Sequence, residues 1–119
     1  MQVPVSDAHI QAWRRKAQRQ AEHDARATQC AREALPRLIE LLKATYHAEH
    51  IILFGSLVLG HFHTQSDIDL AVEGIEPAQF FYALSDLNSI APSRIDLKPL
   101  ESLERHFKQR VLATGEVLA

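Results

Sequence analysis

The stretch FGSLVLGHFHTQSDIDLAV, Phe54 to Val72, organises the chain. The apolar run Ile51-Ile52-Leu53-Phe54 closes on Gly55-Ser56, which reads as a buried strand ending in a turn. Ten residues later Asp67-Ile68-Asp69-Leu70-Ala71-Val72 alternates polar and apolar ahead of Gly74, a second strand. Ser56 to about Phe62 fits a short helix or turn between them. Side chains on a strand alternate faces, so Asp67 and Asp69 share one face while Ile68 and Leu70 take the other. Their Cα atoms lie about 6.5–7 Å apart at the usual strand rise. Two carboxylates at that spacing repel unless one is protonated or a cation sits between them. A hard cation bound through oxygen suits them, and Mg²⁺ with a polyphosphate substrate is the usual case.

Working outward, Arg94-Ile95-Asp96-Leu97 alternates in the same way and is ended by Pro99, a third strand. If it neighbours the second, Asp96 points at the same spot. Three acids around two cations are what in-line phosphoryl or nucleotidyl transfer requires: one cation activates the attacking oxygen, the other neutralises the leaving group. Gly55 lets the backbone approach a phosphate closely, the following helix start offers free N–H groups, and Ser56 adds a hydroxyl. Gly60 permits a second tight turn. A D-x-D pair by itself is equally a strand-start residue beside a solvated one, and Gly-Ser alone carries no information.

The remaining elements are helical. Ser6 or Asp7 caps a helix whose stripe runs through Ile10, Trp13, Ala17, Ala21, Thr28, Ala31, Leu35, Leu38 and Leu42. Pro36 divides it, predicting helices at 7–34 and 36–47. Alanine dominates the stripe between Ala17 and Ala34, so that segment needs a closely packed partner or it frays. Pro77 opens a helix from Ala78 to about Asn88, and a last helix spans about 101–113 before Gly115. The expected fold is α+β (α/β): a small mixed sheet of three to four strands flanked by helices, with an N-terminal helical extension.

Composition bounds the rest. The 119 residues make one core, and 46% apolar with 24% charged residues is ordinary for a globular chain. A single cysteine, Cys30, excludes an internal disulfide and suits a reducing compartment, so the cytoplasm is expected and a membrane is not. Residues 1–37 carry a net +3 and the remainder −5. That basic arm could touch nucleic acid or an acidic partner, but a solvated helix face with pairs such as Glu22–Arg26 explains it better, which argues against direct nucleic-acid binding. His61-x-His63 with Asp67 lacks a further nitrogen or sulfur ligand for a transition-metal site. Cys30 reads as a small apolar filler and Trp13 as a packing anchor.

Gly55-Ser56, ten residues, Asp67-x-Asp69, Ile95-Asp96-Leu97 and the closing Gly115-Glu116-Val117-Leu118 together resemble the DNA polymerase beta-like nucleotidyltransferase superfamily, and within it the minimal nucleotidyltransferase (MNT) group. The resemblance covers about residues 36–118; it divides the chain into an extension, 1–35, and a transferase domain, 36–119. It implies Mg²⁺-dependent transfer of AMP from ATP to a hydroxyl. Asp67, Asp69 and Asp96 would be catalytic and metal-ligating, around two ions, and Gly55 and Ser56 would bind the nucleotide. It further implies an antitoxin that modifies a HEPN-domain ribonuclease toxin, in a homo- or hetero-oligomer that completes the open site. An antitoxin acting by binding alone, or an aminoglycoside-type transferase, are the alternatives. One position departs from the pattern: members commonly read Gly-Ser-x-Ala-Arg-Gly, and Leu59 stands at the arginine's place. A lost charge-assisted phosphate contact costs about 1.5–3 kcal/mol, and neutral His61 or His63 is a poor substitute.

Overall fold

A computed structural model describes residues 6–119. The elements run α1 (Asp7–Ala44), β1 (His50–Phe54), α2 (Ser56–Leu59), β2 (Ile68–Glu73), a 3₁₀ turn (Pro77–Gln79), α3 (Phe80–Ile90), β3 (Ile95–Pro99), a second 3₁₀ turn (Leu100–Ser102), α4 (Arg105–Thr114) and β4 (Glu116–Val117). The sheet is mixed and four-stranded, in the order β3-β2-β1-β4. Here β1 pairs antiparallel with β2 and with β4, while β2 and β3 are parallel, joined by a crossover through α3. The expected α+β architecture, with its N-terminal helix, is the one observed.

Strand alternation sorts the core into two layers. Ile51, Leu53, Ile68, Leu70 and Val72 face α1 and α3, packing with Leu35, Leu38, Leu42, Ala83 and Leu87. Ile52, Phe54 and Ala71 face the other way, against Leu100, Val111 and the partly buried Phe107 of α4. Leu38, Leu42, Ile51, Leu53, Ile68 and Leu70 lose essentially all contact with solvent. Each contributes about 1.5–3 kcal/mol by burial. Tyr46, just beyond α1, donates its hydroxyl to Asp86 of α3, and that bond, first among its causes, pushes its pKa up to about 12.

The expected break at Pro36 does not occur: α1 is one helix of 38 residues with Pro36 inside it. The proline removes one intrahelical N–H and crowds the Arg32 carbonyl. Buried contacts hold the helix on both sides, through Ala31 and Leu35 before the proline and Leu38 and Leu42 after it. Arg32 adds a bridge across the fold, pairing with Glu116 and donating to the Leu57 carbonyl at 3.4 Å. Tertiary packing has overridden a local breaker.

The first half of α1 stands clear of the sheet. Among the described residues its stripe finds no cover there, and Trp13 is 73% exposed rather than a packing anchor. Cys30 is likewise exposed rather than a filler. Glu22 takes a bond from Gln18 rather than pairing with Arg26, and the arm is supported by further i,i+4 bonds, Gln20 to Asp24 and Gln29 to Glu33. Ser6 caps its N-terminus, accepting from His9 N–H. The molecule measures 63 × 31 × 20 Å with a radius of gyration of 18.5 Å. A compact chain of this length would have a radius near ~13.5 Å, and the projecting arm accounts for the difference. Among the described residues no helix is long and apolar enough to cross a membrane.

Candidate active site

The parallel pairing of β2 with β3 puts Asp69 directly opposite Asp96. Neighbouring strands lie about 4.8 Å apart, so the two carboxylates leave the sheet side by side on its α4 face. Asp67 precedes β2 by one residue. The turn before it is closed by the His63 N–H on Ser66 Oγ at 3.0 Å, the Gln65 N–H on His63 Nδ1 at 3.1 Å and the Ser66 N–H on the His63 carbonyl at 2.9 Å. The Ile68 N–H then donates to the Arg94 carbonyl at 2.8 Å, locking the start of β2 to β3.

Electrostatics mark Asp69 as the centre of this group. Its pKa is raised from 3.8 to about 6, first by burial, then by the Asp96 and Asp67 charges and a proton shared with Asp96; Lys98 opposes the shift. A half-buried acid surrounded by acids is short of positive charge. Lys98 sits two residues beyond Asp96 on the same face, its ammonium 3.4 Å from Asp96 Oδ1. The sequence reading missed this lysine, although the spacing Asp96-x-Lys98 carries the same alternation signal as Asp67-x-Asp69.

Gly55 and Ser56 arrive at the same place from β1. Phe54 pairs with Asp69, so the turn after it abuts the acid. A Cβ built on Gly55 would stand 2.2 Å from Asp69 Oδ2. Gly55 also has φ +78° and ψ −150°, a combination that glycine alone adopts readily. Ser56 begins α2, whose first N–H groups have no partner inside the helix. Gly60 ends it in the left-handed conformation, φ +83°. His61 and His63 are exposed.

The donor set fits a hard divalent cation: carboxylate oxygens only, mutually repelling and raised in pKa. Among the described residues no three acidic, histidine or cysteine side chains are drawn into a finished coordination shell. Asp96 leans on Lys98 instead.

The Polymerase beta, Nucleotidyltransferase family model matches residues 37–119. The chain belongs to that family. No curated protein matches it significantly. Among solved structures, a toxin–antitoxin crystallised with AMP-PNP is 31% identical over 71% of each chain, with a TM-score of 0.64. A double Asp-to-Glu mutant of the toxin–antitoxin MntA–HpeT is 27% identical over 71% of this chain and 70% of its own, TM-score 0.62. A Tyr-to-Ala mutant of MntA–HpeT is 29% identical over 71% of each, TM-score 0.62. The nucleotidyltransferase fold of this chain is thus similar to chains of toxin–antitoxin assemblies, and the family match begins after Pro36, beyond most of the arm.

Proposed function

We propose that the chain is an antitoxin that transfers AMP from ATP to a hydroxyl of its toxin, a HEPN-type ribonuclease, with Mg²⁺ bound by Asp67, Asp69 and Asp96. Residues 36–119 form the transferase domain in this reading, and 1–35 its extension. The observation that carries it is the convergence of Asp69 and Asp96, one strand apart, on the Gly55 turn. The similarity to toxin–antitoxin structures, one of them with AMP-PNP, supports the partner and the nucleotide.

The triphosphate lies along the Gly55-Ser56 turn, which approaches closely because no Cβ intervenes. Ser56 donates its hydroxyl and the first α2 N–H groups donate to phosphate oxygens. Bound Mg²⁺ supplies charge neutralisation for the polyphosphate and its leaving group. The acceptor oxygen bonds to the α-phosphorus, the bond from that phosphorus to the bridging oxygen breaks, and pyrophosphate departs. Asp96 takes the acceptor's proton. Asp67 and Asp69 would hold the cation, and its charge would relieve the repulsion that raises Asp69. Asp96 lies on β3, an edge strand of the sheet, which suits a macromolecular acceptor better than one of aminoglycoside size.

The test is the intact mass of the toxin after incubation with this chain, ATP and Mg²⁺. Gain of one AMP with wild type, and none with Asp67→Ala, Asp69→Ala, supports the reading. A second reading has its own observation: Leu59 in place of a phosphate-binding arginine, together with an uncovered helical arm, suits an antitoxin that neutralises by holding its partner. Full neutralisation by the Asp67→Ala, Asp69→Ala variant, with no AMP gained by the toxin, would establish it.

A further inference from the structure

Leu59 does not stand alone at its corner of the fold. It lines a cavity of about 200 Å³ with Phe54, Gly55, Phe107, Arg110, Val111 and Thr114, so α4 faces the glycine turn across this space. The aromatic wall is continuous: Phe54, the strand partner of Asp69, meets Phe107 edge-on with centroids 5.7 Å apart. The Arg110 guanidinium rests on the Phe107 ring, its carbon 5.6 Å from the centroid. Among the described residues Arg110 makes no ion pair. The acid that feels its charge is Glu104, whose carboxylate is held below its usual pKa first by the His106 N–H and the Phe107 N–H, with Arg110 a minor influence. Those bonds, at 3.0 and 3.1 Å, engage Glu104 as the cap of α4. Arg110 is therefore a cation oriented by an aromatic ring, unclaimed by any carboxylate, at the rim of the Gly55 turn.

We propose that Arg110 is a phosphate-binding residue of the site, reaching from α4 to the triphosphate beside Gly55 and supplying the guanidinium that position 59 lacks. This rests on the nucleotidyltransfer reading above and extends it to how the outer phosphates are held. A guanidinium suits this task because it bonds two phosphate oxygens at once and remains charged at any working pH. The ligand class is a nucleoside triphosphate: a guanidinium at the corner of Gly55 and Leu59 would bond the β- and γ-phosphates, which AMP lacks.

The experiment is calorimetric titration with ATP and, separately, AMP, each with Mg²⁺. The proteins are wild type, Arg110→Ala, Arg110→Lys, Leu59→Arg with Arg110→Ala, and Asp67→Ala with Asp69→Ala. We expect Arg110→Ala to weaken ATP about tenfold or more, the scale of one lost charge-assisted bond, and to leave AMP unchanged. Arg110→Lys falls between, and Leu59→Arg restores ATP affinity in the Arg110→Ala background. Circular dichroism confirms the fold of each variant; Arg110 is exposed, so its loss should leave the core intact. Wild-type ATP affinity in Arg110→Ala, or equal losses for ATP and AMP, overturns the assignment while leaving the transferase reading standing. No magnesium-dependent ATP binding by wild type overturns both.

Discussion

Gly55→Ala places the heaviest demand on the described geometry. Its new Cβ would stand 2.2 Å from Asp69 Oδ2, 3.0 Å from Cγ and 3.3 Å from the Asp69 Cβ. Carbon and oxygen meet ordinarily at about 3.3 Å or more, so the carboxylate must retreat by roughly 1 Å. The backbone of β2 cannot supply that movement, because Asp69 is itself paired with Phe54 on one side and Asp96 on the other, and its neighbours Ile68 and Leu70 are fully buried. The side chain must leave its rotamer, and the alanine must also hold φ +78° with ψ −150°. The backbone conformation costs about 1–3 kcal/mol and the overpacking about 1–3 kcal/mol; shared relaxation brings the expected total to roughly 2–4 kcal/mol. Urea denaturation measures it. ATP–Mg²⁺ titration of the folded variant should show binding lost, since Asp69 no longer occupies its place. Gly60→Ala is the matched control: its φ is +83° but its Cβ meets nothing within 4 Å. It should cost about 1–2 kcal/mol and keep nucleotide binding. If Gly55→Ala binds ATP as wild type does, or Gly60→Ala loses equal stability, the close approach of turn and acid is not what shapes this site.

Further outcomes follow from other contacts. Asp69→Asn should stabilise the metal-free protein at pH 7. The full rise from 3.8 to about 6 corresponds to about 3 kcal/mol, and screening at a half-exposed site leaves about 1 kcal/mol. Because the folded pKa is raised, protonation of Asp69 stabilises the fold: that contribution is complete below pH 3.8 and is lost as pH rises through about 6. The advantage of Asp69→Asn in urea should therefore shrink as pH falls from 7 toward 4. Pro36→Ala should raise the unfolding free energy by about 1–3 kcal/mol, seen as a higher urea midpoint, by returning an N–H to the Arg32 carbonyl; no gain would mean that the helix has adapted around the proline. Tyr46→Phe should cost about 1–3 kcal/mol, as Asp86 loses a charge-assisted bond, measured in the same way.

Much of the sheet was legible in the chain because alternation is a local signal. Ile51–Phe54, Asp67–Val72 and Arg94–Leu97 all form strands within about two residues of their expected ends. The Asp69–Asp96 juxtaposition followed from two alternating segments, provided they were neighbours, and the parallel register makes them so. What periodicity does not encode is the identity of whatever covers a stripe. The run from Ile10 to Leu42 shows one pattern throughout, yet only its second half meets the sheet, and Trp13 faces solvent. Pro36 misled for a related reason: local propensity weighs one missing N–H, whereas Leu35 and Leu38 on either side are fixed by the core. Lys98 was readable from its spacing. Arg110 was not, because its approach to Gly55 depends on α4 folding back over β1 through Phe107 and Phe54, a contact between distant parts of the chain.

The proposed nucleotidyl transfer at Asp67, Asp69 and Asp96 differs from other phosphoryl chemistry in which phosphorus of ATP reaches the acceptor. Parallel incubations of the chain and the proposed toxin partner with ATP labelled at the α- or the γ-phosphorus are the direct test. The account predicts α label on the toxin and γ label released as pyrophosphate, both abolished in Asp67→Ala, Asp69→Ala. Transfer of γ label to the toxin, or α transfer that persists in the variant, would contradict it.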